Sequence, residues 1–164
     1  MEFEFLNRVA FFLQIISLVA WVGGSILITI IITPYTFKSF ASKEDAGIFV
    51  GQILERFDYF IIMSVFLFMI GILIEIVNSA RNPILKSQYQ VHLIIFSTMT
   101  LLAVISRLFI RPLLKKTKKK IEMLKLQDEE NPFRKRFAIY HGLSYGIFVI
   151  NILLGLVLIF LNQF

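Results

Sequence analysis

The stretch YFIIMSVFLFMIGILIEIVN, residues 59–78, decides the fold, because twenty residues in a row contain a single charged side chain, Glu75. A helix of about 20 mostly apolar residues is long enough to cross the hydrocarbon core of a bilayer. Three more stretches share this character, namely residues 9–33, 91–110 and 137–161. None of them alternates apolar and polar residues as the strands of a membrane barrel do. We therefore predict an all-α membrane protein, an antiparallel bundle of four transmembrane helices that forms a single domain over residues 1–164.

The composition agrees with this class. Hydrophobic residues make up 57% of the chain and charged residues only 17%, whereas soluble domains have about 25% charged residues. The chain has no cysteine, which excludes disulfides and thiolate metal sites. The first apolar stretch is too long for a typical cleaved signal peptide and follows two acids, Glu2 and Glu4. We expect this stretch to be retained as the first helix.

The basic residues are concentrated in one segment, which predicts the orientation of the chain. Residues 107–136 hold eleven lysines and arginines against four acids, and the net charge of the whole chain is +6. With four spans, this segment and residues 34–58 lie on one side and carry fourteen of the seventeen basic residues. Basic loops face the cytoplasm. We expect an integral protein of the bacterial inner membrane, with both termini outside and the basic loop in the cytoplasm.

The same segment predicts the partners. We read residues 113–136 as a cytoplasmic loop in which the third helix extends past the membrane until ENPF, residues 130–133, ends it. Lysines next to a bilayer are attracted to the anionic lipids of the inner leaflet. We therefore expect the lipid bilayer and its anionic lipids as partners and no nucleic acid. The sequence leaves open whether the protein forms a homo-oligomer.

The connection between the first two helices carries two local signals. A proline cannot continue the hydrogen bonds of a helix, so Pro34 predicts the end of the first helix. Ser42, followed by Glu44 and Asp45, is typical of a helix start. We expect one helix from about Lys43 to Asn78, with an amphipathic first part that leads into helix two near the membrane surface.

Polar residues inside the spans recur on one face of each helix, where they avoid lipid. Depth divides them into two groups. The group predicted near the cytoplasmic end contains Arg107, His141, Tyr145, Tyr35 and the start of helix two, Glu55 to Asp58; the group near the outer end contains Gln14, Glu75, His92 and Asn162. As candidate ligand-binding residues we select Arg107, His141, Tyr145, Asp58, Trp21 and Glu75. The competing interpretation for both Arg107 and Glu75 is that the charged end turns toward the membrane surface. Arg107 could also simply pair with Asp58.

Two histidines in a membrane bundle suggest a haem, but their spacing excludes one shared iron. His92 lies fifteen residues from the level of Arg107, which His141 shares, and this is ~22 Å of depth in a helix. A haem would therefore need His141 or His92 alone, or a second ligand that is not a histidine, and His141 could also bind a metal. No catalytic motif is present. We expect a non-enzymatic membrane protein that binds or passes a small ligand or ion through a polar seam between its helices. The alternative is a haem- or metal-dependent membrane oxidoreductase with His141 as a ligand.

Several short motifs resemble a known family. WVGGSILITIIITPYTF (residues 21–37), AGIFVGQILERFDYF (46–60) and YHGLSYG (140–146) resemble the transmembrane-protein-205-like family, domain of unknown function 4149, which is distantly similar to four-helix membrane proteins of the copper-resistance D and protoporphyrinogen oxidase types. The resemblance covers most of the chain and implies no assigned chemistry. It marks Trp21, Gly23, Gly24, Pro34, Phe37, Ala46, Gly47, Gly51 and His141. We expect the glycines, together with Gly142 and Gly146, to serve helix packing.

Overall fold

The computed structural model describes residues 2–79, 85–124 and 131–161, and within them the ordered elements are helical. We label the long helices α1 (2–39), α2 (Lys43–Ser79), α3 (85–123) and α4 (Pro132–Leu161). All four are long and apolar enough to cross a membrane. The prediction of an all-α membrane protein with four spans is therefore confirmed.

Helix α1 does not end at Pro34, so that prediction is wrong. The helix continues through Thr33–Ser39, and the main-chain N–H of Phe40 still reaches the Thr36 carbonyl at 3.1 Å. The physical reason lies in the preceding turn, Ile28–Ile32, which is π-helical. The wider π-helical turn changes the hydrogen-bond spacing just before a residue that has no N–H to donate.

Helix α2 begins as predicted. The Ser42 hydroxyl accepts hydrogen bonds from the main-chain N–H groups of Glu44 (3.1 Å) and Asp45 (3.3 Å), which are free at a helix start. The helix then runs without a break to Ser79. In its first part Ala46 is buried while Ile48 and Phe49 are exposed, and an amphipathic character of this part stays a prediction.

Helix α3 extends well beyond its apolar part, as expected. It contains a π-helical turn at Ser106–Ile110 and continues through Arg111–Met123. Residues 125–130 of the basic loop lie outside the described residues. The ENPF motif marks the start of α4, because the Asn131 side-chain oxygen accepts a hydrogen bond from the Phe133 N–H at 3.0 Å, with Pro132 as the first helical residue.

The chain divides into two compact units, Met1–Phe96 with Gly155–Phe164, and Ser97–Leu154. In the first unit, α1 and α2 run antiparallel. Successive contacts show this, since Gly24 meets Phe57, Ala10 meets Gly71, and Asn7 meets Asn78. In the second unit, Lys120 of α3 lies over the ring of Phe133 of α4. That residues 1–164 form a single domain stays a prediction.

The surfaces of the helices carry the apolar side chains that suit a lipid environment. Large hydrophobic residues such as Phe12, Ile30, Phe66 and Ile94 are more than half exposed. The most deeply buried positions of α1 include polar ones, Gln14, Ser17 and Ser25. This inside-out distribution is what a membrane-spanning helix needs, because lipid accepts apolar side chains and polar groups must find cover within the protein.

Candidate functional site

Three aromatic rings join helices α1, α2 and α3 in the first unit. Phe68 and Phe96 stack with ring centroids 3.8 Å apart, and Trp21 meets Phe96 edge-on at 5.8 Å. All three side chains are buried. We call Trp21, Phe68 and Phe96 the aromatic layer. It fixes the relative depth of three helices, so the positions of neighbouring polar residues can be read from it.

Four polar residues lie on one side of the aromatic layer. Gln14 and Ser17 precede Trp21 on α1 by one to two turns, and Glu75 follows Phe68 on α2 by two turns. His92 precedes Phe96 on α3 by one turn, toward the end where only five residues, 80–84, separate α2 from α3. Because α2 runs opposite to α1, these displacements all lead in the same direction. We call these four residues, which share one level and of which Gln14 and Glu75 are neighbours, the polar cluster: Gln14, Ser17, Glu75 and His92.

The polar cluster contains buried hydrogen-bonding atoms without partners. Gln14 and Ser17 are fully buried, and His92 is 7% exposed. Within the described part of the chain, the atoms that have no hydrogen-bond partner include both polar atoms of the Gln14 amide, Ser17 Oγ, Glu75 Oε2 and His92 Nδ1. Buried polar atoms are normally satisfied, because an unmade hydrogen bond costs about 1–3 kcal/mol. A cluster of them in an apolar bundle is therefore a candidate binding site.

Local contacts hold two of these side chains in place. The Glu75 carboxyl group lies next to the Gln14 amide, without a hydrogen bond of good geometry between them. The His92 ring interacts with the Leu161 main-chain carbonyl. Nδ1 has no hydrogen-bond partner among the described residues, and in the neutral tautomer that carries its proton on Nε2 this atom is a hydrogen-bond acceptor.

One turn farther from the aromatic layer, a polar pair links α1 and α2. The Asn78 side-chain N–H donates a hydrogen bond of 2.8 Å to the Asn7 side-chain oxygen, and Asn78 is buried. A side-chain hydrogen bond between membrane helices fixes their separation and register. The polar cluster therefore lies between this asparagine pair on one side and the aromatic layer on the other.

The residues predicted near the cytoplasmic end have a different environment. Arg107, His141 and Tyr145 belong to the second unit and have exposed side chains. The His141 ring is parallel to the Phe137 ring at 6.0 Å. Asp58 belongs to the first unit and is buried, while Tyr35 there is exposed. A ligand site at Arg107, His141, Tyr145 and Asp58 stays a prediction, as does the role of His141 in binding haem or a metal.

The glycines differ in how closely they are packed. A β-carbon added to Gly24 would overlap the Phe57 ring. Apart from the neighbouring backbone of the same helix, no described atom lies within 4 Å of such a β-carbon at Gly23, Gly47, Gly51, Gly142 or Gly146. Gly71, which we did not select from the sequence, has the closest approach to main chain, at the Ala10 carbonyl oxygen. Gly71 thus lies against the same part of α1 that carries Gln14.

The residues predicted from the sequence overlap with the polar cluster in part, and their binding of a ligand stays a prediction. Trp21 and Glu75 were selected as ligand-binding candidates, and Gln14 and His92 were placed in the outer group with Glu75. Gln14 belongs to the predicted outer group but not to the candidate ligand-binding residues, and Ser17 belongs to neither set. The signal was present, since Gln14, Ser17 and Trp21 recur at helical spacing. Asn162 lies outside the described residues.

These features define a class, an all-α integral membrane protein with a buried polar cluster between its helices. The family model described as Domain of unknown function (DUF4149) matches residues 16–122, which is more than half of the chain. The chain belongs to this family. No curated protein and no solved structure matches it. The matched residues include the whole aromatic layer, and they include Glu75 and His92 of the polar cluster.

Proposed function

We propose that this integral membrane protein binds a monovalent cation, the proton included, at the polar cluster. The observation that carries the proposal is Gln14, a fully buried amide whose two polar atoms lack hydrogen-bond partners among the described residues and which lies beside the Glu75 carboxyl group. A polar group of this kind is costly within a membrane span and marks a functional site. A bound ligand supplies the missing interactions.

The donor and acceptor balance favours a cation. Gln14 Oε1, Ser17 Oγ, Glu75 Oε2 and His92 Nδ1 are all able to accept hydrogen bonds or ligate a cation, and each lacks a partner among the described residues. Carboxylate, amide and hydroxyl oxygens are the ligands that hard cations prefer. A set that is richer in acceptors than in donors suits a cation or a ligand that donates protons.

The charge of the cluster favours a single positive charge. Glu75 is the only acidic residue among the four members of the polar cluster. In a medium of low dielectric constant an uncompensated charge is costly, so a carboxylate is best neutralised by one unit of positive charge. A divalent ion would leave one excess charge. The described residues contain no group of three or more His, Cys, Asp or Glu side chains that could hold a metal ion.

The proposal is that the cation binds at the polar cluster, and it does not include transport across the membrane. Trp21, Phe68 and Phe96 close the polar cluster on one side, and each is at most 3% exposed. A cation that crosses the membrane by this route has to pass the aromatic layer. Passage therefore requires a movement of these rings, whereas binding does not.

Thermal unfolding of the full chain in detergent tests the proposal. The midpoint temperature is measured in choline chloride and, at the same ionic strength, in lithium, sodium and potassium chloride, each over a range of pH. A ligand at a hundred times its dissociation constant stabilises the native state by about 2.7 kcal/mol. We expect stabilisation by one of the cations or by protons. Glu75→Gln and Gln14→Leu should each abolish it.

Glu44→Gln is the matched control, because Glu44 is an exposed acid on the same helix, far from the polar cluster. This variant should respond to cations as the parent does. Stabilisation that depends on pH alone identifies the proton as the ligand. The proposal is contradicted if the unfolding midpoint of the parent protein changes neither with the metal cations nor with pH. It is also contradicted if the Glu75→Gln variant responds like the parent.

A further inference from the structure

A basic groove lies in the second unit, between the extended part of α3 and the start of α4. It has a volume of about 410 Å³ and is lined on the α3 side by Leu113, Lys116 and Lys120 and on the α4 side by Phe133, Arg136 and Tyr140. We call this set the basic groove. Ligand pockets of roughly 300–1,000 Å³ accommodate small molecules. The space is therefore large enough for a headgroup-sized ligand.

The lining of the groove is both cationic and apolar. Lys119 adds a further positive charge, and none of the described residues that line the groove is acidic. The Lys120 ammonium group lies 5.2 Å from the centre of the Phe133 ring, in a cation–π arrangement. This contact holds one cation at the wall of the groove. Several cations around one apolar floor suit an anion that is attached to an apolar group.

The depth of the groove relative to the apolar spans is that of lipid headgroups. The apolar part of α3 ends at Ile110, and Lys116 is six residues further, about 9 Å along the helix. On α4, Arg136 directly precedes the apolar stretch that begins at Phe137. The headgroup region adds about 5–7 Å to each side of a hydrocarbon core of about 30 Å. Arg136 therefore lies at this level, and the long side chain of Lys116, whose main chain lies about 2–4 Å beyond it, reaches back toward the lipid phosphates.

We propose that the basic groove binds the phosphate headgroup of an anionic phospholipid. Lys116, Lys120 and Arg136 surround the phosphate, and Tyr140 offers a hydroxyl group deeper along α4. Leu113 and Phe133 lie against the apolar part of the lipid. A guanidinium group binds a phosphate through two parallel hydrogen bonds, while lysines act as point charges. The site is independent of the polar cluster, so either proposal can fail without the other.

Lipid binding by the full chain in detergent tests this site, with phosphatidylglycerol as the probe and phosphatidylcholine as the neutral comparison. Retained lipid is counted by native mass spectrometry. The test variant is Lys116→Gln/Lys120→Gln/Arg136→Gln. Each basic residue near an anionic headgroup contributes about fivefold to affinity, so we expect phosphatidylglycerol binding to fall by roughly a hundredfold.

The matched control is Lys115→Gln/Lys118→Gln/Arg134→Gln. It removes the same charge from the same two helix segments at positions that do not line the groove. The control should keep its phosphatidylglycerol, and phosphatidylcholine should bind neither protein strongly. An equal loss in both triple variants would show general attraction to charge and overturn the proposal. The single variants Lys116→Gln and Arg136→Gln, each expected to lose about fivefold, keep the test valid if the triple variant does not fold.

Inorganic phosphate separates a lipid site from a site for free phosphate. Added at millimolar concentration, it should leave the bound phosphatidylglycerol in place, because it lacks the apolar contacts. If inorganic phosphate displaces the lipid, the groove is a phosphate site and the lipid proposal is wrong. Displacement by a short DNA duplex, with salt-resistant retention of the duplex, would overturn the proposal in favour of nucleic acid.

Discussion

Gly71 lies so close to Gln14 that a β-carbon on residue 71 would stand 2.8 Å from the Gln14 Cγ. The same β-carbon would stand 2.9 Å from the Ala10 main-chain oxygen. The absence of a side chain at residue 71 therefore allows α2 to approach α1 at the level of the polar cluster. This approach leaves Gln14 fully buried and holds its amide beside Glu75.

Gly71→Ala should destabilise the protein, because the Ala10 carbonyl oxygen belongs to the main chain and cannot move aside cheaply. Overpacking of this kind costs about 1–3 kcal/mol, which lowers the midpoint of thermal unfolding in detergent. Gly47→Ala on the same helix is the control. No described atom lies near its β-carbon, and alanine is about 1 kcal/mol better than glycine in a helix. Equal unfolding midpoints for the two variants would refute the close approach.

The hydrogen bond between Asn7 and Asn78 should contribute measurably to stability. A double-mutant cycle with Asn7→Ala, Asn78→Ala and the double variant isolates the interaction. Hydrogen bonds between membrane helices give about 0.6 kcal/mol on average and up to about 1.7 kcal/mol, and we expect a value in this range. Strict additivity of the two single substitutions would mean that the two side chains do not interact.

The orientation of the chain is predicted from its basic residues. A cysteine placed at Lys118 should be shielded from a membrane-impermeant maleimide in intact cells, whereas one placed at Ser87 should be labelled. Permeabilised cells provide the control, since both cysteines should then react. The reverse pattern in intact cells would place the basic segment outside and both termini in the cytoplasm.

The fold could be predicted from the sequence because its main determinants are local. Twenty apolar residues in a row specify a spanning helix whatever surrounds them, and Ser42 caps α2 through the next three residues. The predicted end of α1 at Pro34 was wrong, because the effect of a proline on a helix depends on the turn before it. The segment Ile28–Ile32 before it is π-helical. Its sequence, ITIII, contains no signal that distinguishes a π-helix from an α-helix.

The candidate site was predictable only in part, because it depends on contacts between helices. Depth along the helices groups Gln14 with Glu75 and His92, and Ser17 follows Gln14 by about one helical turn on the same face. Spacing alone could not show that Gln14 is completely buried or that Gly71 is the residue that permits it. Those facts depend on the register of α1 against α2, which is set by pairs such as Ala10 with Gly71.

Chemical modification of Glu75 tests the central claim most directly. Dicyclohexylcarbodiimide reacts with protonated carboxyl groups in apolar surroundings, and mass spectrometry of the labelled peptides locates the product. We predict that Glu75 reacts faster than the exposed Glu44 and that its reaction accelerates as the pH falls. If lithium, sodium or potassium stabilises the protein, that metal ion should slow the reaction, because it displaces the proton from the carboxyl group. If Glu75 does not react, or if its rate is indifferent both to pH and to lithium, sodium and potassium, the polar cluster binds neither a proton nor a cation and the account is wrong.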